Sequence, residues 1–191
     1  MPCDDDMPRN DMESQHASIV LVCGADDNYA ALTNLDSGWG VELHLIDGGI
    51  RPENKQRIEH VLRAVEAQVN LQWEQVDPQR LDDLPSLWEH ITPSAYLRLF
   101  IPEIVPETRK KAIYLDSDLV VEESLSQLWN KPMDGAAALA VQGLGIPYVS
   151  SPGGVKNYRE LGLCPDAPYF NSGVLVIDVI RWREMNVCNQ A

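Results

Sequence analysis

Two largely apolar runs near the start of the chain have the length of buried β-strands. Residues 18–23 read SIVLVC, and residues 41–46 read VELHLI. Runs of this kind, followed at once by turn-forming or acidic residues, are typical of strands covered on both faces, as in a parallel sheet. Weaker or later runs predict further strands. These lie over residues 71–76, 112–116, 136–141 and 173–177.

The segments between these runs carry helix signals. Pro52 suits the first turn of a helix, and an apolar stripe at i, i+3, i+4 and i+7 follows it. The members of that stripe are Ile58, Val61, Leu62 and Val65. Thr92 followed by Pro93 predicts a second helix, over about residues 94–101. Strands alternating with helices indicate an α/β fold with a mostly parallel central sheet flanked by helices.

The size and composition of the chain fit one domain with its own core. It has 191 residues, of which 45 % are hydrophobic. Its net charge of −14 argues against a nucleic-acid partner and against an anionic membrane surface. No apolar run approaches the length of a transmembrane helix. An anionic substrate would therefore need local help from a metal ion or from a few arginines.

The ends and the cysteines set further expectations. Residues 1–17 are acidic and polar and lack the pattern of a secretory signal. We expect a flexible lead-in there and a domain over residues 18–191. The four cysteines, Cys3, Cys23, Cys164 and Cys188, form no C-x-x-C pair, so a zinc site is not expected and a reducing, cytoplasmic setting fits best.

The most informative motif is Asp116-Ser117-Asp118. It ends one apolar run and precedes another, Leu119 to Val121. If the segment is extended, Asp116 and Asp118 project from the same face and converge. Converging carboxylates repel each other unless a cation lies between them, and a hard divalent ion also binds phosphate oxygens. The alternative is a strand-end turn in which aspartate accepts backbone amides.

Polar residues also follow the first strand. Asp26, Asp27, Asn28 and Tyr29 offer carboxylate and amide groups and an aromatic face to a nucleotide base and ribose. The alternative is a helix N-cap. Ligands of open α/β sheets bind beyond the carboxyl ends of the strands. Polar residues follow the ends of several predicted strands: those after the first strand, Asp47, the Asp116 motif and Gln142. We therefore expect several of them to share one edge of the sheet.

Two further polar residues and one loop complete the candidates. Arg98 lies in the apolar segment AYLRLFI, either on the surface or partly buried and reaching a diphosphate. Asn171 belongs either to a tight turn before a strand or to a sugar-binding position. Residues 143–168 are rich in Gly, Pro, Ser and Tyr, which predicts a long functional loop.

Taken in order, these motifs resemble glycosyltransferase family 8, which includes bacterial lipopolysaccharide galactosyl- and glucosyltransferases, glycogenin and galactinol synthase. The matching segments are 22–29 (VCGADDNY), 41–54, 94–106 (SAYLRLFIPEIVP), 112–121 (AIYLDSDLVV) and 169–182 (YFNSGVLVIDVIRW). The resemblance implies a GT-A (Rossmann-like) fold and transfer of a hexose from a UDP-sugar, with retention, to a saccharide or lipid-linked acceptor. It also implies Mn²⁺, or Mg²⁺, at the Asp-x-Asp motif and a place in lipopolysaccharide biosynthesis.

The resemblance also assigns roles by position. It places Asp116 and Asp118 as metal ligands and Ser117 at the ribose. Arg98 matches the basic residue near the diphosphate, and Asn171 the residue beside the transferred sugar. The positions that match the uridine-binding segment are Ala25, Asp26, Asn28 and Tyr29.

The sequence departs from the family pattern in three places. Gln142 and Gly143 stand where the family has an acidic residue near the sugar, and residues 30–40 are short for the crossover after the first strand. The family's later segments, which normally supply a third metal ligand and a lysine, have no counterpart before Ala191. We therefore expect a domain that is incomplete at its C-terminal end and has weak UDP binding and poor turnover.

Two alternatives remain open. Residues 116–120 also satisfy the D-x-D-x-[TV] pattern of haloacid-dehalogenase-like phosphatases, with Asp116 as nucleophile and Asp118 as acid/base. That family needs a downstream acidic pair, and none follows Glu122 and Glu123 after the next strands. The other alternative is a non-catalytic UDP-sugar-binding fragment, because two carboxylates alone make an incomplete metal site. The sugar, the acceptor and the oligomeric state are not predicted.

Overall fold

The computed structural model describes residues 18–25, 39–64, 69–77, 79–80 and 93–190. Several predicted features lie outside these residues. They are the N-terminal lead-in, the uridine-site residues Asp26, Asn28 and Tyr29, the stripe residue Val65, and the helix-start residue Thr92.

Six strands form the sheet of the described chain. They are β1 (Ser18–Ala25), β2 (Gly40–Asp47), β3 (Val69–Glu74), β4 (Lys111–Asp116), β5 (Ala138–Gln142) and β6 (Phe170–Asp178). Their order in the sheet is β3-β2-β1-β4-β6-β5. The first four are parallel to one another, whereas β6 runs antiparallel to both neighbours. The predicted α/β class with a mostly parallel sheet is confirmed.

Helices lie on both faces of this sheet. The α-helices are α1 (Pro52–Arg63), α2 (Ile101–Ile104), α3 (Leu125–Trp129) and α4 (Val179–Glu184), and 3₁₀ helices span Pro93–Phe100 and Val187–Asn189. One apolar cluster joins the sheet to α1 and α3, and a second joins its other face to the first 3₁₀ helix, α2 and α4. No helix of the described residues is both long and apolar enough to cross a membrane.

Several predicted boundaries differ from the observed ones. The helix expected over residues 94–101 is a 3₁₀ helix that continues into α2, in whose first turn Pro102 lies. Pro102 lacks the N–H that a single uninterrupted α-helix would need there. In α1, Ile58 and Leu62 are buried as predicted, but Val61 is 41 % exposed and does not face the sheet.

Two differences at strand ends bear on function. β4 ends at Asp116, and Ser117 and Asp118 form a turn, so the extended geometry considered for the Asp-x-Asp motif is wrong. β6 begins at Phe170, so Asn171 lies within a strand and not in a turn before it. Asn171 belongs to the strand because this part of β6 pairs with β5: Gln142 pairs with Phe170, and Val141 with Asn171.

Candidate active site

The candidate active site lies where the C-terminal end of β4 meets the N-terminal end of β6. Because β6 is antiparallel, Asn171 at its start lies at the same edge as Asp116 at the end of β4. The neighbouring strand contributes Ala25, which pairs with Asp47, while Gly24 pairs with Asp116. The prediction that strand-end residues share one edge is confirmed for these described positions.

A bulge in β6 shapes this edge. Ala140 of β5 pairs with Leu175, but the next residue, Val141, pairs with Asn171. Residues 172–174 of β6 therefore have no partner on β5. Bulges bend a strand locally and re-aim its side chains and carbonyl groups. This bulge turns the Ser172 carbonyl toward Arg98.

Asp116 is held through one of its two carboxylate oxygens. Tyr114 Oη donates to Oδ1 at 2.7 Å, and Arg98 Nη2 donates to the same oxygen at 3.0 Å. The Asp116 side chain is 33 % exposed. Among the described residues no hydrogen bond reaches Oδ2, which leaves that oxygen for a ligand.

Arg98 is fixed by four contacts and its side chain is only 12 % exposed. Nε donates to the Ala95 carbonyl at 2.7 Å, Nη1 donates to the Ser172 carbonyl, and Nη2 reaches Asp116. The guanidinium lies 4.6 Å from the ring centroid of Tyr114, a cation–π contact. Of the two placements left open for Arg98, the partly buried one is observed, and its charge faces the carboxylate at the sheet edge.

Tyr114 is a site residue that sequence reasoning missed. In the sequence it is one residue of an apolar run, and in the structure the residue is only 1 % exposed. Burial raises the pKa of its phenol well above the usual value, the Arg98 charge opposes this, and the Asp116 carboxylate adds to it. The phenol is therefore neutral and donates its proton. Its position two residues before Asp116 was the available signal, because such residues share a face of a strand.

Asn171 and Gly173 form the wall opposite Asp116. Asn171 Oδ1 accepts a hydrogen bond from Gly173 N at 2.7 Å, which directs the amide group and leaves its Nδ2 as a donor. A Cβ on Gly173 would lie 2.6 Å from Asp116 Oδ2 and 3.0 Å from Asn171 Oδ1. The absence of a side chain at position 173 therefore lets the ends of the Asp116 and Asn171 side chains come close to this backbone.

Ser117 and Asp118 lie directly after Asp116 in a turn, and Asp118 is exposed. Leu119 and Val121 pack against the cluster on the α1 face, which anchors the turn from behind. The structure thus brings Asp116, Arg98 and Asn171 together through Tyr114 and Gly173. It places Asp118 next along the chain but not on a continuing strand.

The long loop after β5 is ordered by its own hydrogen bonds. Tyr148 bridges to Pro168, Gly143 N donates to Tyr169 O at 2.8 Å, and Gln142 Nε2 donates to the Pro147 carbonyl at 2.7 Å. A Cβ on Gly143 would lie 2.7 Å from the Ile146 carbonyl oxygen. The loop conformation therefore excludes a side chain, and with it an acidic residue, at position 143.

The donor set fits a divalent cation only in part. The described residues contain no group of three or more His, Cys, Asp or Glu side chains that could hold a metal ion. Asp116 Oδ2 accepts no hydrogen bond from the described residues, and Asp118 adds a second, exposed carboxylate. A hard cation takes six or more oxygen ligands, so further oxygens would come from a bound molecule such as a diphosphate.

Comparison with known proteins identifies the family. The family model "Glycosyl transferase family 8" matches residues 17–191, and the chain belongs to this family. It is 33 % identical over 177 residues to general stress protein A of Bacillus subtilis, covering 87 % of this chain and 58 % of that protein. It is 34 % identical over 100 residues to probable galacturonosyltransferase-like 4 of Arabidopsis thaliana, covering 48 % of this chain and 27 % of that protein.

Solved structures of glycosyltransferases have a similar fold. The galactosyltransferase LgtC, crystallised with donor and acceptor sugar analogues, is 27 % identical and superposes with a TM-score of 0.73, covering 88 % of this chain and 61 % of LgtC. The bifunctional glycosyltransferase WbbM, 24 % identical with a TM-score of 0.70, shares the fold over 90 % of this chain and 33 % of its own. The predicted GT-A fold and family are confirmed. The chain spans less than two thirds of the length of these relatives.

Proposed function

We propose that this chain forms the donor-sugar site of a retaining hexosyltransferase, which transfers a hexose from a UDP-sugar to a saccharide or lipid-linked saccharide. The observation that carries the proposal is the convergence of Arg98, Asp116 and Asn171 at one sheet edge. The family match favours this interpretation of residues 116–120 over the phosphatase one. The hexose, the acceptor and any part in lipopolysaccharide synthesis are not specified by these residues.

Each described site residue would have its own physical role in this transfer. Arg98 is held by two backbone carbonyls, so its charge stays at the site when the diphosphate leaves. Such a preorganised charge needs no reorganisation during the reaction. Asn171 Nδ2 is directed by the bond from Gly173 and would donate to a hydroxyl of the transferred sugar. Ser117, next to Asp116, would contact the ribose.

The remaining donor contacts are proposed from the family resemblance. Uridine would be held by Ala25 at the end of β1 and by Asp26, Asn28 and Tyr29, of which the last three lie outside the described residues. Asp116 and Asp118 would hold Mn²⁺ or Mg²⁺. When bound, the cation would neutralise charge on the departing diphosphate. The cysteine pattern, with Cys23 buried as a free thiol, supports a cytoplasmic setting.

Calorimetry tests the donor site. Mn²⁺ and UDP should each strengthen binding of the other, because the diphosphate completes a coordination sphere that the carboxylates leave open. UDP is titrated into the chain with Mn²⁺ and with chelator. Equal UDP affinity in the two conditions would contradict the metal site.

Activity is tested by incubating the chain with a panel of UDP-sugars and Mn²⁺ and measuring UDP release and the anomeric form of any product. Arg98→Lys keeps the charge but loses the planar fork, and we expect a loss of activity on the order of 10²–10³-fold. Arg63→Lys is the matched control, because Arg63 lies on the exposed side of α1 and contacts Glu59. Equal activity of the Arg98 variant and its control would contradict the proposed role.

A second candidate is a UDP-sugar-binding module without catalytic activity. It is favoured by the lack of a three-residue metal group among the described residues and by the pairing of Asp116 with Arg98. It predicts UDP binding that Mn²⁺ does not strengthen and no UDP release from any sugar nucleotide. The two experiments above therefore separate the candidates.

A further inference from the structure

The two oxygens of the Asp116 carboxylate have different surroundings. Oδ1 accepts from Tyr114 at 2.7 Å and from Arg98 at 3.0 Å. Oδ2 accepts no hydrogen bond from the described residues and lies close to the backbone at Gly173. A carboxylate held in this way presents one oxygen to a ligand and cannot turn the other toward the same ligand without breaking both bonds.

Tyr114 has little freedom to release its bond. Its ring is buried in the apolar cluster on the Arg98 face of the sheet, and its phenol lies at the sheet edge, where it meets Asp116. The Arg98 guanidinium covers the ring. Arg98 itself is anchored to the carbonyls of Ala95 and Ser172. Of the two donors to Oδ1, Tyr114 is therefore the one whose direction is fixed by the core.

We propose that Tyr114 is a positioning residue that makes Asp116 a one-oxygen metal ligand and so favours Mn²⁺ or Mg²⁺ over Ca²⁺. This inference rests on the proposed metal site. Mg²⁺ demands a compact, near-ideal octahedron, whereas Ca²⁺ accepts about six to eight oxygens in a flexible geometry and can take both oxygens of one carboxylate. Groups that hydrogen-bond a metal-ligating carboxylate orient it, and their removal typically costs about 10–100-fold in metal affinity.

The test compares Tyr114→Phe with the parent chain. Phenylalanine keeps the ring under Arg98 and removes only the donor to Oδ1. Mn²⁺ binding is measured in the presence of UDP from the electron paramagnetic resonance signal of free Mn²⁺, and Ca²⁺ is added as competitor. We expect Mn²⁺ affinity to fall about 10-fold and the preference over Ca²⁺ to narrow. Tyr158→Phe is the control, because it removes a hydroxyl of the long loop that accepts from Arg159.

The possible results distinguish the role of Tyr114 from the proposed metal site. A Tyr114→Phe variant that binds Mn²⁺ with the affinity and the Ca²⁺ preference of the parent overturns the role of Tyr114 alone. A parent chain that binds Mn²⁺ and Ca²⁺ equally overturns it as well, and this comparison needs no variant, which covers the case of a variant that does not fold. A parent chain that binds no Mn²⁺ with UDP overturns the proposed metal site and this inference together. A purely structural role would change only the melting temperature and leave the metal preference unchanged.

Discussion

Gly173 lies so close to Asp116 that a Cβ at position 173 would stand 2.6 Å from Asp116 Oδ2. The need for glycine here is one of space. The glycines of the described residues that have a positive φ are Gly49, Gly135, Gly153 and Gly162, and Gly173 is not among them. The same Cβ would stand 3.0 Å from Asn171 Oδ1. The absence of a side chain at position 173 therefore allows Asp116 and Asn171 to occupy their observed positions.

Gly173→Ala should weaken Mn²⁺-dependent UDP binding at least 10-fold while the chain still folds. The added methyl would collide with the ends of the Asp116 and Asn171 side chains, which the fold can tolerate, but it would displace the oxygen proposed to bind metal. Gly145→Ala is the matched control, because a Cβ there has no heavy atom within 4 Å. Calorimetry and thermal unfolding check the pair. Wild-type UDP binding by the position-173 variant would contradict the proposed metal-binding role of this Asp116 oxygen.

Asp118→Asn should abolish metal-dependent UDP binding and leave the melting temperature within a few degrees of the parent. The substitution removes a charge from an exposed turn without changing the volume much. Asp166→Asn, in the exposed part of the long loop, controls for the loss of one negative charge. Calorimetric titration with UDP and Mn²⁺ gives the measurement. Parent-like binding would show that Asp118, placed outside a continuing strand, is not a metal ligand.

Leu21→Ala should destabilise the fold by about 2–5 kcal/mol, whereas Leu144→Ala should change the free energy of unfolding by less than about 0.5 kcal/mol. Leu21 is fully buried in the middle of β1, and Leu144 is fully exposed at the start of the long loop. Urea unfolding monitored by circular dichroism compares the two variants. Similar losses for both would be inconsistent with this placement of the core.

Asp47 should make the fold sensitive to acid. Partial burial raises the pKa of this carboxyl, but the bonds from Lys55 and from the amides of Ile50 and Gly49 outweigh it, so the pKa lies below the usual value. Since the folded pKa is depressed, the stabilisation is complete above the unfolded value of about 3.9 and is lost as the pH falls through the folded value.

The measurement is the free energy of unfolding from pH 7 down to pH 2 for the parent, Asp47→Asn and Lys55→Met. Both variants should be less stable at neutral pH and lose less stability on acidification. Lys55→Met tests the ion pair separately, because the two amide bonds to Asp47 remain in that variant. An acid profile of Asp47→Asn that runs parallel to the parent would contradict this account.

The strands of the core could be predicted because their signal is local. The apolar runs at β1, β2 and β4 are buried as expected, and polar residues at their ends share one edge. Arg98 could be anticipated for the same reason, since an arginine among apolar residues is conspicuous in a sequence. The order of motifs along the chain was enough to give the family and the GT-A fold, both of which are confirmed.

The features that could not be predicted depend on contacts between distant segments. The bulge at residues 172–174 arises from the register of β5 against β6, which no pattern within either strand encodes. The hydrogen bond from Tyr114 to Asp116 could not be predicted, because a tyrosine within an apolar run is interpreted as a core residue. β4 ends at Asp116 and a turn begins at Ser117, whereas an alternating pattern predicts a strand that continues to Asp118. The side-chain direction of Asp118 could therefore not be predicted from strand alternation.

The antiparallel pairing of β4 with β6 has a consequence for the order of folding. The segment that separates these two strands includes α3, β5 and the long loop. Joining distant segments costs loop-closure entropy before any contact repays it, so such pairings form late. Two residues of this edge belong to β6: Asn171, and Ser172, whose carbonyl accepts a hydrogen bond from Arg98. The binding edge is therefore complete only after β6 has paired with β4, and a ligand that binds there would stabilise the folded topology.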